Sequence, residues 1–192
     1  MRVACGATLP AMPQFERRVP DGDTREREVC AACGFVAYQN PKIVVGSVAV
    51  SADGRVLLCR RAIDPRAGFW TLPAGYMELG ETCAEGALRE AREEANATLA
   101  IEGVLAIFSI ARIGQVQVIH RARLADPNVF PGEETLETRL FAWDAIPWAE
   151  IAFPSVHWAL HAWHAGRDAP LGVPATNPPA DPRGVRPLPH GA

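Results

Sequence analysis

Residues 75–97 read Gly75-Tyr-Met-Glu-Leu-Gly-Glu81-Thr82-Cys-Ala-Glu85-Gly-Ala-Leu-Arg89-Glu90-Ala-Arg-Glu93-Glu94-Ala-Asn96-Ala97, and most of the fold and chemistry can be worked out from this stretch. Thr82, followed three residues later by Glu85, forms a capping box that starts a helix at about residue 83. At about 100 degrees per residue, Ala84, Ala87, Leu88, Ala91 and Ala95 gather on one apolar face of small side chains, suited to close packing on a sheet. Glu90, Glu93 and Glu94 are related by i, i+3 and i+4 spacing and project together from a different face. Like charges placed this way repel by a few tenths of a kcal/mol per pair. A divalent cation offsets that repulsion, and carboxylate oxygens are hard donors suited to Mg²⁺ or Mn²⁺. The competing reading is a solvated acidic helix face.

Upstream, KIVVGSVAV (42–50), a turn at Ala52-Asp53-Gly54 and RVLLC (55–59) predict a hairpin. Residues 62–72 read as a loop. Downstream, 99–110 and 116–124 alternate like strands, 139–143 forms a shorter one, and SVHWALHAWHA (155–165) closes as an amphipathic helix. Strands on both sides of a helix predict an α/β (α+β) fold with a mixed sheet sandwiched between helices. The expected organisation is a small cysteine-bearing segment over 1–40, the main domain over 41–165, and a proline-rich tail over 166–192 without fixed structure. A chain of 192 residues with 48% hydrophobic content fits one domain with attachments.

Charged residues are 21% of the chain and the net charge is -3, which argues against both a nucleic-acid binder and an acidic disordered protein. Lys42 is the single lysine among 19 basic residues, so the arginine excess reads as compositional bias. No apolar run approaches the roughly 18 to 20 residues of a membrane span, and the opening residues lack the apolar stretch of a signal peptide. The five cysteines are an odd number, which fits thiols or metal ligands better than a disulfide framework and makes a cytoplasmic protein the expectation.

The 75–97 stretch resembles the Nudix box, G-x5-E-x7-R-E-U-x-E-E-x-G-U with U an aliphatic residue. Gly75, Glu81, Arg89, Glu90, Glu93 and Glu94 all stand at its required positions. Six such matches arise by chance on the order of once in ten million starts at ordinary residue usage. Asn96 replaces the second glycine, a substitution compatible with a left-handed helix end, and Ala91 and Ala97 are small for the aliphatic slots. The resemblance implies a Nudix fold and hydrolysis of a nucleoside diphosphate linked to another moiety. It implies that Glu90, Glu93 and Glu94 bind Mg²⁺ or Mn²⁺, with the Gly75 carbonyl as an additional ligand. It also implies that Glu81 and Arg89 form a supporting pair, and that a loop glutamate downstream acts as catalytic base, for which Glu133, Glu134 and Glu137 are the candidates.

CGFVAYQNPKIVVG, LLCRRAIDPRAGFWTLPAGYMELGE and ETRLFAWDAIP resemble the branch that includes plant-type FAD and ADP-ribose pyrophosphatases. That likeness implies release of AMP from FAD or ADP-ribose, with NADH or dinucleoside polyphosphates as alternative substrates. It implies a nucleotide as the small-molecule partner, without membrane or nucleic acid, and leaves a homodimer open. Arg60 and Arg61 are candidates for phosphate contacts, and Trp70 and Tyr76 for stacking on a base or flavin ring. The same branch carries an amino-terminal zinc ribbon of two cysteine knuckles. Cys30 and Cys33 with Gly34 complete one of them. Cys5-Gly6 supplies only half of the other because Arg2 stands at the partner position. A start upstream of Met1, a ligand from elsewhere and a degraded structural Zn²⁺ site are the alternatives, the first being favoured. Cys59 and Cys83 read as packing residues, and His157, His161 and His164 as a helix face, not a metal site. The rival from another class is a non-catalytic Nudix-fold binding or regulatory module.

Overall fold

The computed structural model describes residues 14–184 and divides into two compact units, residues 1–40 and 41–192. In the first, β1 (Phe15–Arg18), β2 (Arg27–Cys30) and β3 (Val36–Ala37) form a three-stranded antiparallel sheet. The Cys30-Ala-Ala-Cys33-Gly34 turn joins β2 to β3, and Gly34 supplies the positive φ of 73° that the turn needs.

The second unit is built on β4 (Lys42–Val50), β5 (Val56–Arg61), β6 (Trp70–Thr71), β7 (Ala74–Tyr76), β8 (Leu99–Ile110), β9 (Gln115–Leu124) and β10 (Thr135–Phe141). The sheet order is β10-β5-β4-β9-β8, with β6 on β5 and β7 on β4. β4 and β9 are parallel and the other pairs antiparallel, which makes the sheet mixed. Alternation along the strands feeds two cores. Val48, Val56 and Leu58 face α2 (Pro154–Gly166) and its Trp158, Leu160 and Trp163. Ala49, Leu57 and Cys59 face α1 (Cys83–Ala95) and its Ala91 and Ala95. The expected helix-sheet-helix sandwich is the observed fold. Among the described residues no helix is long and apolar enough to cross a membrane.

Three elements depart from expectation. The 42–59 hairpin pairs only at its turn, Val50 with Val56. Beyond that pair β4 and β5 diverge, and β6 and β7 occupy the opening, which places residues 74–76 beside α1. The last strand runs from Thr135 to Phe141, whereas Trp143 begins a 3-10 turn. The tail expected to lack fixed structure instead lies along β8 as far as residue 184. Ala175 bridges Ala106 in parallel, exchanging bonds with Ile107 N–H and the Leu105 carbonyl. Asn177 bonds both backbone groups of Ser109, and Leu171 packs on the core. Two apolar contacts and an open strand edge hold this segment without any periodic pattern.

Candidate active site

Thr82 and Glu85 form both bonds of the capping box, Glu85 N–H to Thr82 Oγ1 at 3.2 Å and Thr82 N–H to Glu85 Oε2 at 2.7 Å. Asn96 ends α1 at φ 50°, with its N–H donating to the Ala91 and Arg92 carbonyls. The acidic residues do not share one solvated face. Glu93 is exposed, whereas Glu90 and Glu94 are buried together with Gly86, Ala87, Ala91 and Ala95. The divergence of β4 and β5 explains this, because β7 is inserted there and presents a glycine to the helix. A Cβ on Gly75 would overlap the Glu90 carboxylate, and one on Gly86 would come within 2.7 Å of Glu81 Oε1 and Val45 Cγ2.

Arg89 holds the carboxylates in register. Its Nε and Nη2 donate to the two oxygens of Glu81 at 3.0 and 2.8 Å, a bidentate fork. Its Nη1 donates to Glu90 Oε1 at 2.7 Å and Glu93 Oε2 at 2.9 Å, and Nη2 also reaches the Tyr76 carbonyl at 3.0 Å. The fork, with the Glu78 N–H, holds the Glu81 carboxyl down to about 2. Glu94 behaves oppositely. Burial pushes its carboxyl up to about 8, against the Ala74 N–H that donates to Oε2 at 3.2 Å, with the Glu90 and Glu134 charges adding to the rise. Burial also raises Glu90.

Among the described residues no three histidine, cysteine or acidic groups form a ready-made metal cage, and Arg89 takes one oxygen each from Glu90 and Glu93. The donor set nevertheless fits a hard divalent cation, since two carboxylates are withdrawn from water and carry a cost that a cation at the site offsets.

Of the three downstream glutamates, Glu134 is the one whose charge adds to the rise of both Glu90 and Glu94. Glu137 pairs with Arg60 at 3.8 Å, and Glu133 is exposed. The loop over 125–134 is fastened to the end of α1 by Phe130 N–H to the Ala95 carbonyl and Gly132 N–H to the Glu94 carbonyl, both at 3.0 Å. Gly132 approaches so closely that a Cβ there would overlap the Glu93 carbonyl oxygen. Sequence reasoning missed Gly132, although the Pro131-Gly132 dipeptide marked a turn.

The substrate-contact candidates separate. Arg61 lies where its charge acts on Glu94; its Nε donates to the Pro65 carbonyl at 2.8 Å, and its guanidinium lies 5.2 Å from the Phe153 ring centre. Arg60 Nε is bonded to the Gly68 carbonyl. Tyr76 is half exposed, with Lys42 5.0 Å from its ring centre and Gln115 donating to its hydroxyl. Trp70 is not a stacking platform: it is 5% exposed and edge-on to Phe141 at 4.9 Å, because β6 turns it into the α2-side core. His164 stacks on Trp143 at 3.7 Å, and His161 and His157 stack on Trp148, an aromatic role for all three.

In the first unit, Cys30 and Cys33 flank one turn, while Cys5 lies outside the described residues. N–H groups of Cys33 and Ala32, with the Cys33 side chain, hold the Cys30 thiol below its usual range, which suits a thiolate ligand. Cys59 is buried, which pushes its thiol well up and marks it as packing.

The pH dependence of stability can be worked out from Glu94. Its folded-state value of about 8 stands above the ordinary 4.5, so the folded chain holds a proton that the unfolded chain has released between those values, and stability falls as pH rises through that window. In a chelator, Glu94→Gln is therefore expected to exceed the wild type in Tm by a margin that grows from pH 5 to pH 8.5. A margin that shrinks over the same range contradicts the buried, raised carboxyl.

The NUDIX domain family profile matches residues 40–163, and the Nudix N-terminal profile, a zinc-ribbon family, matches residues 3–39. A solved structure of a NUDIX hydrolase from Nitrosomonas europaea is 42% identical, superposes with a TM-score of 0.80, and is covered over 97% of its length by 88% of this chain. An ADP-ribose pyrophosphatase of Methanocaldococcus jannaschii is 32% identical over 38% of this chain and 42% of its own length. A MutT-like protein of Streptomyces ambofaciens is 33% identical over 42% of this chain and 51% of its own length. The chain thus spans about half or less of these curated relatives.

Proposed function

The chain belongs to the NUDIX domain family and is a Nudix hydrolase, and on that premise we propose that it hydrolyses the pyrophosphate linkage of ADP-ribose, releasing AMP, in a reaction dependent on Mg²⁺ or Mn²⁺. The observation that carries the proposal is the pair of buried carboxylates, Glu90 and Glu94, seated against β7, with the Glu134 charge acting on both. Glu90, Glu93 and Glu94 would hold the metal, beside the backbone of Gly75. When bound, the cation neutralises phosphate charge and lowers the pKa of the attacking water.

The remaining work falls to protein groups. Arg89, locked by Glu81, fixes Glu90 and Glu93 in orientation. Glu134 accepts a proton as water oxygen bonds to phosphorus and the bridging P–O bond breaks, the leaving phosphate departing with the bridging oxygen. Arg61, beside the cluster, supplies positive charge to the substrate's phosphates, and the half-exposed Tyr76 offers a ring. In the first unit, Cys30 and Cys33 would hold a structural Zn²⁺ together with ligands outside the described residues.

ADP-ribose is preferred because the archaeal relative bears that activity in its name. FAD presents the same ADP moiety and is the second reading. The test is a panel of ADP-ribose, FAD, NADH and diadenosine polyphosphates, assayed for AMP release with Mg²⁺, with Mn²⁺ and with chelator. The expected result is the highest kcat/KM on ADP-ribose and no release in chelator. Activity that persists in chelator overturns the metal assignment, and a higher kcat/KM on FAD overturns the substrate order.

A further inference from the structure

Asn96 does something that glycine, the residue of the box at this position, cannot do. Its left-handed conformation at φ 50° closes α1, a geometry that glycine adopts at lower backbone cost. The side-chain amide is the part of the residue that this cap does not explain, and its Nδ2 donates to the Phe130 carbonyl at 3.1 Å. Phe130 is therefore held at both backbone groups by consecutive residues of the helix end, its N–H by Ala95 and its carbonyl by Asn96. Gly132 N–H takes the Glu94 carbonyl one residue back along the helix. These bonds occupy carbonyls that a helix C-terminus otherwise leaves to solvent. At the far end of the loop, the Glu134 carbonyl accepts from Ala62 N–H at 2.8 Å.

We propose that Asn96 is a positioning residue: its amide latches the 125–134 loop to the end of α1 and so sets Glu134 against Glu90 and Glu94. The inference rests on the reading of Glu134 as proton acceptor. Glu134 is exposed, and its placement comes from the backbone to which it is attached. The helix that carries Glu90 and Glu94 also carries the anchor of the residue that works with them, so both sides of the site move as one body.

Asn96→Gly in the full chain tests this, because it keeps the helix cap and removes only the amide. Expected results are a kcat lower by about tenfold, a size reasonable for misplacing a reacting group by a fraction of an ångström, with KM little changed. The amides of Phe130 and Gly132 should exchange faster while those of Leu88 to Ala91 keep their protection. Asn96→Gly should also cost nothing further in a chain that already carries Glu134→Gln. Asn96→Asp, which turns an acceptor toward the Phe130 carbonyl, should reproduce the loss. Unchanged loop exchange, unchanged kcat, or a full loss in the Glu134→Gln background each overturns the latch. A fully active Glu134→Gln overturns the proton-acceptor reading and the latch with it, whereas a latch failure alone leaves Glu134→Gln inactive.

Discussion

Glu94→Gln lowers metal-dependent AMP release by more than about 100-fold, beyond the loss expected when a group that only orients a ligand is removed. The amide keeps the shape of the side chain and can still accept from Ala74 N–H, so the helix and β7 stay packed. What disappears is the negative charge. In the wild type that charge is costly, as its carboxyl at about 8 records, and the cost is tolerated at a place where a cation can offset it. The variant is thus less active and, without metal above pH 7, more stable. That opposed pair of outcomes separates a functional carboxylate from a structural one, since losing a structural ion pair lowers both. Steady-state assays with Mg²⁺ and melting curves in chelator measure the two arms. An active variant ends the assignment of Glu94.

Gly132→Ala is expected to damage both stability and activity. The added Cβ meets the Glu93 carbonyl oxygen inside van der Waals contact, and the carbonyl carbon at 2.8 Å. Both atoms belong to helix backbone, which cannot step aside as the end of a long side chain can. Either the loop lifts from α1, losing the Gly132 and Phe130 bonds, or α1 shifts on the sheet with Glu90 and Glu94. Overpacking of this kind costs roughly 3 kcal/mol, or roughly 10 °C in Tm for a chain of this size. Activity should fall by more than about tenfold even well below the new Tm, because either relaxation separates Glu134 from the acidic pair. Circular dichroism melts and AMP-release assays at a temperature where both proteins are folded measure these effects. A variant with wild-type kcat means that the loop tolerates displacement.

These two residues mark the range of what could be read from sequence. Glu94 was found from local rules, since a capping box and i, i+3, i+4 spacing are properties of one helix. Its burial was not legible. That depends on β4 and β5 parting after a single pair and on Gly75 facing the helix, both set by strands distant in sequence. The apolar-face arithmetic put all three glutamates together on a different face and did not separate the buried Glu90 and Glu94 from the exposed Glu93. Gly132 is invisible to periodicity because its reason for being glycine is a helix 39 residues upstream. Trp70 reads from sequence as a stacking candidate or, more often at such a site, as a packing residue, and β6 fixes the side it faces. The 167–184 segment lacks an apolar period, yet Leu171, Ala175 and the Asn177 amide suffice once β8 offers a ladder to bond.

That segment also covers one edge of the sheet. From β4 the strands run outward through β9 to β8, whose outer edge would stand open for another chain to join. Residues 171–184 take that edge alongside 105–111, and they bring prolines at 174, 178, 179 and 182, none of which has an N–H to offer a newcomer. Polymerisation through this edge is thereby stopped by a stretch whose composition alone suggested no structure. The proline content that disqualified it as a strand is what makes it a good last one.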